Sequence, residues 1–345
     1  MRKSSALALI TTTIFTGGLL AACGTSPAAS SPGSSSAKAK SYKVGLVTDT
    51  GGLNDHGFNH LAYLGLMQAK NQLGVTTSVV QSETESDYVP FLTNYAKQGY
   101  NLVIAVGFLM AQAVQQVSKE FPHTKFMIID DEVPGPNVTS SLFETQQCGY
   151  LVGELAGLVQ KDHALPHINS YNTLGVVGGE SIPPVNTYIA GFYAGVHAVD
   201  PSAKILLKYT NDFNNPNNGQ TYAQSEIAQH ADIIFQVAGG SGLGVITAAK
   251  QAHVYAIGVD ANQNYLAPNT VITSAEKGIQ VATFDTIKDG LQGTLKPGVQ
   301  YYSLSNNGVG MAPPISAIPA SIVQQVLQSE KAIRSGKIVP PTTIP

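Results

Sequence analysis

The sequence has no tryptophan, two cysteines, and few charges: Asp, Glu, Lys and Arg make up 12% of its 345 residues. Two cysteines exclude a disulfide framework. With 19 basic side chains against 22 acidic ones and no basic stripe, nucleic acid is excluded as a partner. Nothing among the eight histidines is read as a zinc site, so no metal and no cofactor are expected. No run approaches the roughly twenty apolar residues that a bilayer crossing needs. A low charge density also limits self-repulsion in acid, which is compatible with an acidic exterior.

What is present supports a large core, since 43% of residues are hydrophobic. The length suits two lobes or domains of about 120–150 residues each. Thirty-four glycines and nineteen prolines imply many tight turns between short elements rather than one long bundle.

The first forty residues read as an address. Arg2 and Lys3 give a basic start, and no charge follows from Ser4 to Ala37. An apolar segment from residue 6 to Leu20 ends in Leu20-Ala21-Ala22-Cys23, then Gly24. Small residues before a cysteine are similar to a bacterial lipoprotein signal, with residues 1–22 removed and Cys23 acylated, palmitate included. Several acyl chains on one cysteine would supply stable attachment. Residues 23–40 are then the lipidated Cys23 and a flexible Ser/Ala/Pro/Gly tether. The expected location is the cell membrane, lipid-anchored on its extracytoplasmic face. Cys148 is left unpaired.

From residue 43 onward, strand and helix patterns alternate. Strands are predicted at 43–49, 76–81, 102–106, 126–130, 174–179, 204–209, 232–240, 254–260 and 270–277. Helices are predicted at about 57–72, 89–98, 111–121, 150–160, 185–199, from the glycines to about 251, 278–295 and 319–335, with Asn54 or Asp55 capping the first. The alternation implies an α/β fold of parallel sheets covered on both faces. Two series split near 145 suggest two lobes: 41–145 with about 276–298, and 146–275 with about 313–345. Ligands sit beyond the carboxyl ends of strands in such sheets. That rule selects Asp49, Gly107, Asp130, Gly178, Gly239 and Asp260.

The segments VGLVTDTGGLNDHGFN (44–59), GYLVGELAG (149–157), LGVVGG (174–179), GFYAGV (191–196), VAGGSGLGV (237–245), AIGVDANQ (256–263) and VITSAEKG (271–278) occur in one order. Together, over about residues 43–310, they resemble the basic membrane protein family, the purine-nucleoside receptor lipoproteins. The resemblance implies a type I periplasmic-binding-protein fold: two doubly wound parallel-sheet lobes joined by a hinge. It also implies a membrane lipid anchor, and capture of a nucleoside, unchanged, for an ABC transporter permease. By the same resemblance Asp49 lies at the base edge, Phe58 and Tyr188 stack on the base, and Asn59 stands beside Phe58. Asp130 closes the fourth strand, Gly239 and Gly240 form the glycine turn, and Asp260 and Lys277 complete the site. Asn54 and His56-Gly57 depart from the family's acid and Lys-Ser-like pair, and Tyr188 replaces the commoner phenylalanine.

These residue types suit a nucleoside. Aromatic rings from opposite lobes can sandwich a base, each stack contributing about 1–3 kcal/mol. A carboxylate such as Asp260 accepts hydrogen bonds from two ribose hydroxyls, and Lys277 donates to the sugar or pairs with Asp260. Acidic groups without an Arg cluster disfavour phosphorylated ligands. Phe58 and Tyr188 also fit as core residues of amphipathic helices, and the aspartates as helix caps or a salt bridge between lobes. Three rival functions stand beside this one. DTGGLND (49–55) resembles the loop of calcium-dependent nucleoside hydrolases, but lacks its second acid and proline. AGGSGLG (238–244) approaches a dinucleotide turn, but Val245 stands where the third glycine belongs. A ligand-sensing receptor or adhesin of the same fold is the third.

Overall fold

A computed structural model describes residues 42–345; the leader, Cys23 and the tether lie outside the described residues. The chain begins with β1 (Lys43–Thr48), α1 (Phe58–Leu73), β2 (Thr76–Val80), α2 (Tyr88–Lys97), β3 (Leu102–Val106), α3 (Ala111–Glu120), β4 (Lys125–Ile129) and β5 (Val138–Phe143). It continues through α4 (Thr145–Lys161), β6 (Thr173–Gly178), α5 (Pro183–Val199), β7 (Lys204–Tyr209), α6 (Pro216–Ile227), β8 (Ile233–Val237), α7 (Gly242–Ala252), β9 (Tyr255–Asp260) and β10 (Val271–Lys277). Last come α8 (Ile279–Gln292), β11 (Gly298–Tyr302), β12 (Val309–Met311) and α9 (Ala320–Arg334).

The strands form two six-stranded sheets, ordered β11-β5-β4-β3-β1-β2 and β12-β10-β9-β8-β6-β7. All pairs in the first sheet are parallel. In the second, only the short edge strand β12 runs antiparallel, against β10. The central strands are Val/Ile-rich and buried throughout, because helices cover both faces of each sheet. Each sheet has its own large apolar core. The chain passes between the sheets after β5, after β10 and between β11 and β12. The described residues, 42–345, belong to one compact unit. No described helix is long and apolar enough to cross a membrane.

Local chemistry explains where the main elements begin. Asp55 accepts from the backbone N–H groups of Gly57, Asn59 and His60, donors that the first turn of α1 cannot satisfy itself. Asp55, rather than Asn54, is the cap. Two prolines at the start of α5 have no N–H to lose. The helices α4 and α5 pack backbone to backbone. A Cβ placed on Gly195 would lie 2.1 Å from the Tyr150 carbonyl oxygen, and one on Gly153 would lie 2.3 Å from that of Phe192.

Besides the short strands β11 and β12, which the sequence pattern did not predict, two elements carry no clear sequence pattern. Strand β5 reads VTSSLF, with two serines in its middle, and α6 reads PNNGQTYAQSEI, rich in Asn and Gln. Tertiary position overrides propensity in both: β5 is enclosed between β4 and β11, and α6 packs on α7. The predicted strand over 232–240 stops at Val237, and Gly239–Ser241 form a turn that leads into α7.

Candidate functional site

A cavity lies where the carboxyl ends of the two sheets' strands face each other. Eight of the nine predicted site residues line it. Asp49, Phe58, Asn59 and Asp130 come from the first sheet's side, and Tyr188, Gly239, Asp260 and Lys277 from the second's. Gly240 does not reach the wall; it is buried behind, next to the backbone of Phe213. Among the strand-end positions, Gly107 also lines the cavity and Gly178 does not.

On the first sheet's side, Asp49 follows β1 and is 7% exposed. Its Oδ1 accepts from Gly51 N at 2.8 Å and from Asn59 Nδ2 at 2.7 Å. The Asn59 amide also reaches Asp55 Oδ2 at 3.3 Å. A neutral N–H donor thus occupies the space between two carboxylates that a cation would need. His56 and His60 stand one turn apart with ring centroids 6.3 Å from each other. Among the described residues, no three His, Cys, Asp or Glu side chains are grouped to hold a metal ion.

Asp130 and Asp260 end β4 and β9 with φ of 75° and 63°. Left-handed backbone is costly for a residue with a Cβ, and it collects where a site requires it. Lys277 pairs with Asp130, not with Asp260 as the sequence allowed. The reason is geometric: β10 delivers Lys277 to the end of the second sheet directly facing the end of β4. The Lys277 ammonium also lies 4.8 Å from the Phe58 ring centroid, 5.0 Å from that of Phe143 and 5.9 Å from that of Tyr188. Aromatic faces attract a cation at these distances.

Tyr188 is 2% exposed, and its hydroxyl donates to Asp260 Oδ1 at 3.0 Å. Its ring meets Phe235 edge-on. An aromatic that periodicity did not signal also lines the cavity: Phe213, half-buried in the loop between β7 and α6. Its ring packs so closely on Gly179 that a Cβ there would lie 2.2 Å from Cε1. The one available signal was a single aromatic in an otherwise polar stretch, NDFNNPNN. Asp55, expected only as a cap, also reaches the cavity.

Four carboxylates and one ammonium line this space, and no Ser, Thr, Cys or His does. Burial pushes the Asp49 carboxyl up to about 7, against the pull of its Asn59 and Gly51 donors. Burial likewise raises Asp260 to about 6, against the nearby Lys277 charge and with Asp130 adding to the rise. The wall offers hydrogen-bond acceptors, flat rings and one cation. Such an arrangement holds a polar ligand in place.

Away from the cavity, burial raises Glu226 to about 9 and Asp232 to about 6. These groups keep protons in the folded chain that the unfolded chain releases above about pH 4. Stability is therefore full in acid and declines as pH rises toward each folded value. We expect the thermal midpoint to be higher at pH 5 than at pH 8. Glu226→Gln should flatten that slope, and a midpoint that rises between pH 5 and pH 8 would refute the expectation.

The family profile described as ABC transporter substrate-binding protein PnrA-like matches residues 42–343. A CD4+ T-cell-stimulating antigen of Listeria innocua is 32% identical, over 99% of each chain. The ABC transporter nucleoside-binding protein BmpA of Lactococcus lactis is 29% identical, over 87% of this chain and 89% of its own. Among solved structures, an ABC transporter system solute-binding protein from Aeropyrum pernix superposes with a TM-score of 0.80 at 26% identity. That match covers 87% of this chain and 93% of the other.

Proposed function

This chain belongs to the PnrA-like ABC transporter substrate-binding proteins, and from that premise we propose that its cargo is a nucleoside, purine above all, bound without chemical change. The observation that carries the reading is convergence. Flat rings and hydroxyl-seeking carboxylates arrive from both sheets at one cavity. In this reading Phe58 covers one face of the base, and Asp49 and Asn59 meet its edge. Asp260 accepts from the ribose hydroxyls. Tyr188, whose hydroxyl holds Asp260, offers the ring for the opposing face, and Phe213 stands on the same side of the cavity. The relative from Lactococcus lactis, named as nucleoside-binding, supports the same cargo.

Four carboxylates against one lysine disfavour a phosphate, so the ligand is a nucleoside rather than a nucleotide. Capture proceeds by closure of two lobes, one per sheet, about the three crossing segments. The sequence around Cys23 supports a lipid anchor that keeps the receptor beside its importer on the outer face of the membrane.

Calorimetry of residues 24–345 against guanosine, inosine and adenosine tests the reading. We expect micromolar or tighter binding with no turnover. Phe58→Ala should weaken binding by about 1–3 kcal/mol, the contribution of one stacked base. Flat titrations with all three nucleosides, alongside a clear signal for a sugar or a peptide, would overturn the assignment.

A further inference from the structure

The loop between β1 and α1 carries Asp55, and α1 begins with Phe58 and Asn59, so this stretch supplies much of the first sheet's share of the cavity. It lies against the second sheet. A Cβ on Gly57 would stand 3.5 Å from Asp260 Oδ2. Next to that contact, Gln263 donates from Nε2 to the backbone carbonyl of His56 at 3.2 Å. The Tyr265 hydroxyl meets His56 Nδ1 at 2.9 Å.

Gln263 is fully buried, and its other polar groups are committed within the second sheet. Its Oε1 accepts from Val259 N at 3.1 Å and from Gln236 Nε2 at 2.6 Å, and its own N–H donates to Ser274 Oγ at 3.0 Å. Gln236 in turn accepts from Ala238 N at 3.1 Å. Two paired amides therefore tie together the turn at Gly239 and the strand end at Asp260, both on the cavity wall. Gln263 Nε2 donates across to the first sheet. His56 receives it with φ of 52°, a left-handed backbone.

We propose that Gln263, with Tyr265 at the exposed rim, is a positioning residue that couples the two halves of the ligand cavity. Its Nε2–H clasps the first sheet's loop only when that loop is seated against Asp260. The same amide holds the glycine turn and the Asp260 turn in place for the ligand. Separation of the sheets leaves this donor to water, and closure returns it to the His56 carbonyl. A buried amide network of this kind is rigid when complete, so the seated loop and the two turns are stabilised as one unit. The inference rests on the reading that the sheets close around a ligand, and it adds which residue secures the closed form.

Gln263→Glu is the informative variant. It keeps an acceptor for Val259 N and Gln236 Nε2, but turns the crossing donor into an oxygen that faces a carbonyl. X-ray scattering of the ligand-free mature chain should show a larger radius of gyration than the wild type. Stopped-flow measurement with the best nucleoside of the panel should show dissociation faster by about three- to tenfold or more, the effect of one net hydrogen bond, with association within about twofold. Tyr265→Phe leaves the buried network intact and should move dissociation in the same direction by less. A purely structural role would lower the thermal midpoint without separating the two rates. Unchanged scattering and unchanged dissociation in a folded Gln263→Glu chain overturn the proposal. If no nucleoside binds the wild type, the cargo reading fails, and the scattering comparison alone decides this one.

Discussion

Asp260→Ala abolishes nucleoside binding in the expected outcome, with calorimetric heats falling to the baseline at concentrations that saturate the wild type. The carboxylate is buried at the end of β9 and takes the Tyr188 hydroxyl on Oδ1, which leaves Oδ2 toward the loop at Gly57 and the ligand space. Truncation removes the acceptor for the ribose hydroxyls and strands the Tyr188 hydroxyl without a partner. Removing one member of a buried, charge-assisted hydrogen-bonded set costs about 2–5 kcal/mol, some 30-fold to several thousand-fold in affinity. Asp260→Asn separates charge from shape. It keeps one acceptor and the side-chain volume, so it should fall between wild type and Ala. An Asp260→Ala chain that binds within threefold of the wild type would reduce Asp260 to a structural partner of Tyr188.

Gly195→Ala should be strongly destabilising, although it adds a single methyl group. Alanine ordinarily gains about 1 kcal/mol over glycine inside a helix. Here the added methyl would stand 2.1 Å from the Tyr150 carbonyl oxygen and 2.7 Å from the Glu154 nitrogen. Both are backbone atoms of α4, so no side chain can turn away, and the helices must part. Helix α4 is buried from Leu151 to Gln160, with α5 and α9 packed against it. Moving it disturbs the whole core of that layer. We expect a loss of about 3 kcal/mol or more, at the upper end of overpacking effects, read as a lower midpoint in urea denaturation. A midpoint equal to or above the wild type would show that the helices have room to separate.

Much of the architecture was legible because parallel sheets write a simple pattern. Runs such as LVIAV and LGVVG can be buried only when both faces of a strand are covered, and intervening helical periodicity supplies the covers. Helical patterns at 150–160 and 185–199 marked α4 and α5, although only the packed helices show that their glycines meet backbone carbonyls. The rule that ligands sit beyond strand ends selected Asp49, Asp130 and Asp260, which line one cavity, and also Gly178, which does not. Strand β5 and helix α6 were silent, because serine, asparagine and glutamine take whichever structure their neighbours impose.

Pairing was the harder matter. Lys277 was open to the sugar or to Asp260, and it bonds Asp130, a residue 147 positions away on the other sheet. Tyr188 was expected to present a ring and also spends its hydroxyl on Asp260. Phe213 gave no periodic signal because it sits in a loop, where side-chain direction follows from tertiary contacts.

The sequence alone determined the alternation of elements, the residues at the ends of the strands, and the family to which the chain belongs. These follow from short-range rules: hydrophobic period, turn chemistry and the order of local motifs. Only the tertiary structure decided which carboxylate meets Lys277, that an amide fills the gap between Asp49 and Asp55, and that Gln263 reaches His56. Those choices depend on how two separately folded sheets face each other, and distances across that gap leave no periodic trace along the chain.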